Sequence, residues 1–167
     1  MKIIILGKGY VGNHLFKKLS EHSGRYGERS NVQIYSKDEL DYTDNYSLLQ
    51  EINVMEDTYV INCSGFTGRP NVDEGESKKE ECWKYNVEVP LNLNKACNEL
   101  GAQIIHITSG CIYTGYEKEW EEDDTPNFGI YSNESSFYSK SKHAFETLSD
   151  TGLHLRIRMP FCDTLHE

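Results

Sequence analysis

The chain has 167 residues, of which 37% are hydrophobic, and a formal net charge of −10. This length and composition allow one globular domain with a buried core. The acidic balance provides no basic stripe to neutralise phosphates, which argues against a nucleic-acid partner and favours small molecules or proteins.

No apolar run in the sequence approaches the length of a membrane span, so no membrane association is expected. An apolar strand follows Met1 directly, which leaves no room for a secretion signal, and a cytoplasmic location is expected. The five cysteines include no Cys-x-x-Cys pair, so we predict reduced thiols and no metal site.

Short apolar runs alternate with helical patterns along the chain, which is typical of a parallel sheet covered by helices. The predicted strands are Ile3–Leu6, Val32–Tyr35, Thr58–Asn62, Gln103–Thr108 and Leu153–Arg158, the last ended by Pro160. The predicted helices are Tyr10–Glu21, Tyr46–Ile52, Lys78–Leu100 and Tyr138–Ser149. Gly101 is predicted to cap the third of these helices. The expected fold is α/β, with a doubly wound parallel sheet and helices on both faces.

A glycine motif, Gly7-x-Gly9-x-x-Gly12, follows the first strand and begins the first helix. Such a turn holds a dinucleotide pyrophosphate against backbone N–H groups, which makes the predicted fold Rossmann-type and NAD(P)-binding over residues 1–167. The candidate contacts are Gly7, Lys8, Gly9, Tyr10, Val11 and Gly12. An ordinary glycine turn is the alternative interpretation.

The residues after the second strand bear on the choice of cofactor. Ser36 and Lys37 offer a hydroxyl and a cation suited to a ribose 2′-phosphate, so NADP(H) is expected in preference to NAD(H). Asp38 and Glu39 follow directly and weaken this distinction, and Lys37 can equally be a solvated loop lysine.

Tyr138 and Lys142 are four residues apart, and therefore share one helix face. An ammonium beside a phenol lowers the phenol's pKa, which makes Tyr138 a candidate proton donor to a carbonyl. Ser109, at the end of a predicted strand, would hydrogen-bond the same carbonyl, while Lys142 tunes Tyr138 and holds the ribose. The Tyr/Lys spacing alone arises by chance on many helices. Three features give it weight: the glycine turn, the hydroxyl pair Thr108-Ser109 at the end of a predicted strand, and the order of strand, loop and helix that brings both to the carboxyl edge of the sheet.

Six stretches of the sequence are similar to the extended short-chain dehydrogenase/reductases, and within them to dTDP-4-dehydrorhamnose reductase and the nucleotide-sugar 3,5-epimerase/4-reductases. These stretches are residues 60–73, 85–90, 108–113, 124–128, 137–142 and 155–160. The resemblance implies NADPH-dependent reduction of a dTDP- or UDP-linked 4-keto-6-deoxy sugar.

The same resemblance implies further contacts to the cofactor. It places Asp41 and Tyr42 at the adenine, and Cys63, Ser64 and Gly65 at the ribose. Pro160, at the end of the last similar stretch, is also assigned to the cofactor site. Cys111 stands two residues after Ser109, where related epimerase/reductases use a cysteine to exchange a proton beside the keto group. An inert buried cysteine is the alternative for Cys111.

The sequence departs from the family pattern in three respects. Its glycine loop is one residue shorter than usual, and Asp73-Glu-Gly-Glu76 replaces the Asp-Trp-Cys-Glu of plant relatives. Family members also continue for on the order of a hundred residues beyond the last similar stretch, whereas this sequence ends at Glu167. We therefore expect the C-terminal substrate lobe to be absent, with a homodimer or a partner completing the site. A non-catalytic NAD(P)-binding module or regulatory subunit is the alternative function.

Overall fold

The computed structural model describes residues 1–22, 31–43, 53–54, 57–116 and 118–160. The helix predicted at Tyr46–Ile52 lies outside these residues. All five predicted strands are found, each within one residue of its predicted bounds.

Five parallel strands form one sheet in the order β2-β1-β3-β4-β5. They are β1 (Lys2–Leu6), β2 (Asn31–Tyr35), β3 (Thr58–Asn62), β4 (Gln103–Ser109) and β5 (Leu153–Ile157). The chain passes from β1 to β2 on one side and then crosses to β3 on the other, which creates a switch point between β1 and β3. In open parallel sheets, ligands bind beyond the carboxyl ends of the strands at such a point.

The helices cover both faces of this sheet, as predicted. They are α1 (Tyr10–His22), α2 (Glu74–Ser77), α3 (Lys79–Trp83), α4 (Val89–Leu100) and α5 (Phe137–Leu148). Gly101 ends α4 in the left-handed conformation, with a φ of 71°, as the sequence indicated. Among the described residues, no helix is both long and apolar enough to cross a membrane.

The central strand β1 divides the core into two layers. Ile4 and Leu6 are fully buried in the layer that contains α4. Ile3 and Ile5 point to the opposite face, against apolar side chains of α1. Because β1 is covered on both faces, it is a continuous apolar run, and each fully buried side chain contributes about 1.5–3 kcal/mol.

One predicted helix, Lys78–Leu100, is interrupted in the structure. Lys84–Glu88 form a π-helical turn between α3 and α4, in which the Val89 N–H donates to the Lys84 carbonyl. Pro90 follows at once, and it has no N–H to give to the carbonyl four residues earlier, with which its ring would also clash. The predicted helix is therefore present from Lys79 to Leu100, but it contains one widened turn before the proline that the sequence pattern did not predict.

Candidate active site

The glycine turn connects β1 to α1 and lies against the end of β3. Gly7 has a φ of +106°, and a Cβ placed on it would lie 2.8 Å from the Ser64 nitrogen. A Cβ on Gly12 would lie 1.9 Å from the Gly7 carbonyl oxygen. A Cβ on Gly9, by contrast, would have no atom of the described residues within 4 Å. Two glycines are thus required by close packing, and the third leaves open space beside the backbone.

A cavity of about 330 Å³, here called the turn cavity, adjoins this turn. It is lined by Gly7, Gly9, Lys37, Tyr42, Cys63, Ser64, Gly65, Phe66, Glu81 and Tyr85.

A second cavity of about 300 Å³, here called the strand-edge cavity, lies beyond the ends of β4 and β5. The predicted residues that line it are Val11, Cys63, Ser64, Gly65, Ser109, Cys111, Tyr138, Lys142 and Pro160. Both cavities share Cys63, Ser64 and Gly65, here called the 63–65 segment. The two halves of the predicted site therefore meet at the carboxyl edge of the sheet.

Local structure places the catalytic candidates in the strand-edge cavity. Ser109 ends β4, and its Oγ accepts a hydrogen bond from the Cys111 N–H at 3.1 Å. Ser136 caps α5 by accepting from the Ser139 N–H at 3.1 Å. This cap starts the helix just before Tyr138, so Tyr138 and Lys142 lie one turn apart on the same face.

Burial controls the ionisation of Tyr138 and Lys142. It lowers the pKa of Lys142 to about 8, while Cys82 and Glu146 act in the opposite direction. Burial also raises the pKa of Tyr138, and an interaction with the Ser109 side chain opposes that rise. The sequence predicted a lowered pKa for Tyr138, and the structure gives the opposite direction because desolvation outweighs the hydrogen bond with Ser109. Tyr138 therefore keeps its proton at neutral pH and can act as a donor.

A carboxylate organises the turn after β2. Glu39 accepts from the Ser36 N–H at 2.9 Å and the Ser36 hydroxyl at 3.1 Å, and it forms an ion pair with Lys8. The Lys8 ammonium, followed by the Ser36 amide, lowers the pKa of Glu39 to about 2. Lys37 instead donates to the Tyr85 hydroxyl at 2.7 Å, at the turn cavity.

Five of the predicted cofactor residues line neither of these two cavities: Lys8, Tyr10, Gly12, Ser36 and Asp41. Gly12 packs closely against the Gly7 carbonyl, as described, and Lys8 and Ser36 bind Glu39. The Asp41 carboxylate accepts from the Thr43 N–H at 3.1 Å and from its hydroxyl at 2.6 Å. The contacts of Gly12, Lys8, Ser36 and Asp41 thus stabilise the turns around the site.

Asn86 is a buried polar residue that the sequence analysis did not single out. It lies in the π-helical turn, where its Oδ1 accepts from the Phe66 N–H at 2.9 Å. Its Nδ2 donates to the Phe66 carbonyl and to the Ser141 hydroxyl, both at 3.0 Å. Asn86 thus joins the loop after the 63–65 segment to the helix that carries Tyr138 and Lys142. An asparagine inside an otherwise apolar helical pattern was the signal that could have indicated it.

Arg158 and Thr108 are further lining residues that were not predicted as site residues. Arg158 lines the strand-edge cavity and also an adjoining outer cavity of about 610 Å³, which Cys111 and Tyr138 share. The buried hydroxyl of Thr108 lines the strand-edge cavity and has no hydrogen-bond partner within the described part of the chain. Their positions at the ends of β5 and β4 were the available signal, because side chains there face the ligand edge.

Comparison of the sequence with known proteins identifies the family to which this chain belongs. A family model described as the RmlD substrate binding domain matches residues 1–154. A trifunctional UDP-glucose 4,6-dehydratase/UDP-4-keto-6-deoxy-D-glucose 3,5-epimerase/UDP-4-keto-L-rhamnose-reductase of Arabidopsis thaliana is 37% identical over 99% of this chain and 24% of its own length. A bifunctional dTDP-4-dehydrorhamnose 3,5-epimerase/dTDP-4-dehydrorhamnose reductase of the same plant is 35% identical over 97% of this chain and 53% of its own length.

A solved structure of a related reductase has the same fold. The crystal structure of a dTDP-4-dehydrorhamnose reductase from Clostridium acetobutylicum superposes with a TM-score of 0.69 at 28% identity, covering 88% of this chain and 48% of that one. The chain thus spans about a quarter of the trifunctional relative and about half of the other two. It belongs to the RmlD substrate-binding-domain family, and its predicted resemblance to dTDP-4-dehydrorhamnose reductases and nucleotide-sugar epimerase/reductases is confirmed.

Proposed function

We propose that residues 1–167 are the dinucleotide-binding domain of an NADPH-dependent reductase that acts on a dTDP- or UDP-linked 4-keto-6-deoxy sugar. One observation carries the proposal: Ser109, Tyr138 and Lys142 line one cavity, which the 63–65 segment joins to the cavity at the glycine turn. The names of the relatives, which include reductases of dTDP-4-dehydrorhamnose and UDP-4-keto-L-rhamnose, support the substrate class.

The described residues fit a dinucleotide. Gly9 leaves open space beside its backbone, where a pyrophosphate would accept from N–H groups at the start of α1. The unpartnered Thr108 hydroxyl gives the strand-edge cavity a polar group ready for a ligand. The bound nicotinamide would supply the hydride that reduces the carbonyl carbon.

This chain's own residues supply the proton and the polarisation. The Tyr138 hydroxyl gives its proton to the carbonyl oxygen, so that the carbonyl becomes an alcohol and a phenolate remains, which regains a proton from solvent. Ser109 donates a hydrogen bond to the same oxygen and stabilises the charge that develops on it. The Lys142 ammonium stabilises the phenolate and binds the ribose hydroxyls.

Cys111 is assigned to epimerisation. Cys111 lines both the strand-edge cavity, where the substrate carbonyl would lie beside Tyr138, and the outer cavity, into which the rest of the sugar would extend. Its thiolate would remove the proton from the carbon beside the carbonyl, leaving an enolate and the Cys111 thiol. A proton delivered from water to the opposite face would invert that carbon, and the thiol would return its proton to solvent.

Lys37 supports the preference for NADP(H). Among the residues that the structure describes, it is the only cation lining the turn cavity, and it is exposed and directed to the Tyr85 hydroxyl. A 2′-phosphate placed there would gain a charge-assisted hydrogen bond. Glu39 opposes this preference, because its carboxylate already takes the Ser36 and Lys8 donors that a phosphate would otherwise use.

Two measurements on the purified protein test the proposal. The first is a fluorescence titration with NADPH and NADH. The second is a single-turnover assay with each 4-keto-6-deoxy nucleotide sugar, followed by the loss of reduced nicotinamide absorbance. We expect tighter binding of NADPH and oxidation that requires the keto sugar. Binding without any turnover would point to a cofactor-holding module, and the absence of binding would overturn the proposal.

A further inference from the structure

A line of hydrogen bonds, buried at its centre, runs from the 63–65 segment to the end of α5. The N–H and hydroxyl of Ser64 both donate to Asn62 Oδ1, at 3.0 and 2.6 Å. The Asn62 amide nitrogen donates to His106 Nδ1 at 3.1 Å, and His106 Nε2 donates to Asn94 Oδ1 at 2.6 Å. Asn94 Nδ2 donates to the Ser149 hydroxyl at 2.7 Å. Side chains from β3, β4 and α4 thus connect a cavity-lining serine to the C-cap of α5.

The donors along this line can be arranged in only one way. Asn62 uses its oxygen for Ser64, so its amide hydrogens face His106, and Nδ1 of the ring must accept. The ring hydrogen therefore lies on Nε2, where Asn94 accepts it. His106 is 1% exposed, and burial is the main cause that lowers its pKa to about 3, so it stays neutral in this arrangement.

We propose that His106 is a positioning residue for dinucleotide binding, which holds the 63–65 segment in place through Asn62. The inference rests on the proposed function. His106 lines neither the turn cavity nor the strand-edge cavity. Without an acceptor at Nδ1, the buried Asn62 amide would have to turn to another partner, and its oxygen would then leave both donors of Ser64.

Two amide substitutions of His106 separate positioning from packing. His106→Asn places an amide oxygen near the position of Nδ1 and keeps the acceptor for Asn62. His106→Gln places an amide nitrogen near the position of Nε2 and keeps the donor to Asn94. Both variants lose the ring that packs against Phe145, whose centroid is 4.8 Å away, so both should lose stability. Only His106→Gln should lose dinucleotide affinity, by about tenfold, because only it leaves the Asn62 amide unpaired.

Two readouts complete the test: the Kd for NADPH, and hydrogen exchange of the Ser64 backbone amide in the ligand-free protein. We expect faster Ser64 exchange in His106→Gln and a near wild-type rate in His106→Asn. Asn62→Ala leaves the ring in place but removes the acceptor for Ser64, and it should match His106→Gln if either ring variant fails to fold. Equal Ser64 exchange in all variants and the wild type would overturn the positioning role. Failure of the wild type to bind any dinucleotide would instead overturn the proposed function, while the exchange rates would still decide whether His106 holds the segment.

Discussion

The Lys142 ammonium lies 5.8 Å from the centre of the Tyr138 ring, and both side chains are 7% exposed. Their spacing in α5 gives them this proximity, and the surrounding core gives them their burial. Burial favours the neutral form of each, so it lowers the pKa of the lysine and raises that of the tyrosine. The protein therefore holds a neutral phenol beside a lysine whose charge is easily lost.

Removal of the Tyr138 hydroxyl should abolish carbonyl reduction and spare cofactor binding. Tyr138→Phe keeps the ring but not the proton, and we expect the single-turnover rate to fall by about 10²–10⁴-fold. The Kd for NADPH should change by less than about threefold, since the ring still packs. Tyr131→Phe is the matched control, because Tyr131 is 82% exposed and lines none of the three cavities described. An undiminished rate in Tyr138→Phe would remove Tyr138 from the mechanism.

Lys142 should impose a pH dependence on stability. Its pKa is lowered from 10.5 to about 8, so burying its charge costs about 3 kcal/mol when it is protonated in the folded state. Below pH 8 that cost is fully present. Between about pH 8 and 10 the unfolded chain still binds the proton and the folded chain does not, so stability rises with pH.

Urea unfolding of the wild type and Lys142→Met measures this effect. Lys142→Met should be the more stable protein at pH 7, and its advantage should shrink as the pH rises from 8 to 10. Lys17→Met, at an exposed lysine of α1, should show a constant difference from the wild type. A constant difference for Lys142→Met as well would contradict the lowered pKa.

Lys37 should set the preference for NADPH over NADH. Lys37→Ala should weaken NADPH binding by about tenfold or more, with little effect on NADH, because a charge-assisted contact to the 2′-phosphate is lost. Tyr85→Phe is the control, since it removes the hydroxyl that Lys37 contacts but retains the ammonium. Equal affinities of the wild type for the two dinucleotides would refute the role of Lys37.

Two glycine substitutions should separate binding from folding. A Cβ on Gly65 would lie 3.0 Å from Asn86 Oδ1 and 3.1 Å from Lys142 Nζ, so Gly65→Ala should lose about 1–3 kcal/mol of stability as well as NADPH affinity. A Cβ on Gly9 meets open space, so Gly9→Ala should fold normally and lose only affinity, because the methyl group occupies the place of the pyrophosphate. Thermal unfolding and NADPH titration of both variants test this. Unchanged affinity in Gly9→Ala would place the pyrophosphate elsewhere.

Cys111 should act in proton exchange and not in reduction. Cys111→Ser should slow solvent deuterium incorporation into a 4-keto-6-deoxy nucleotide sugar by at least about tenfold, because a hydroxyl is a far weaker base than a thiolate. The rate of carbonyl reduction serves as the internal control and should stay within about threefold of the wild type. NMR of the sugar measures the exchange. If Cys111→Ser incorporates deuterium into the sugar as fast as the wild type does, Cys111 has only a packing role.

Sequence patterns predicted the strands and the grouping of Ser109, Tyr138 and Lys142, because these features follow from apolar periodicity and from the common edge of parallel strands. Cys111 was added to this group by the family resemblance. The direction of the Tyr138 pKa was not predictable in the same way. Helical spacing predicts that Lys142 lies near Tyr138, but it does not predict how deeply these two side chains of α5 are buried. Desolvation depends on the whole core and emerges only in three dimensions.

The interactions of Glu39 illustrate a second limit. The sequence places Ser36, Lys37 and Glu39 within four residues and gives no order of pairing among them. In the structure Glu39 pairs with Ser36 and with Lys8 from another loop, and Lys37 pairs with Tyr85 from the π-helical turn. Lys8 is 31 residues from Glu39 along the chain, and Tyr85 is 48 residues from Lys37. Local sequence patterns therefore could not indicate these two pairs.

The π-helical turn at Lys84–Glu88 carries one residue more than a regular helical turn would hold. Deletion of a residue elsewhere between Lys79 and Leu100 would rotate everything beyond it by about 100° and expose the apolar stripe of α4. A deletion within the turn would only convert it to α-helix, provided that Pro90 is replaced at the same time. This short stretch is therefore where the helix can change its length by one residue and still keep its packing.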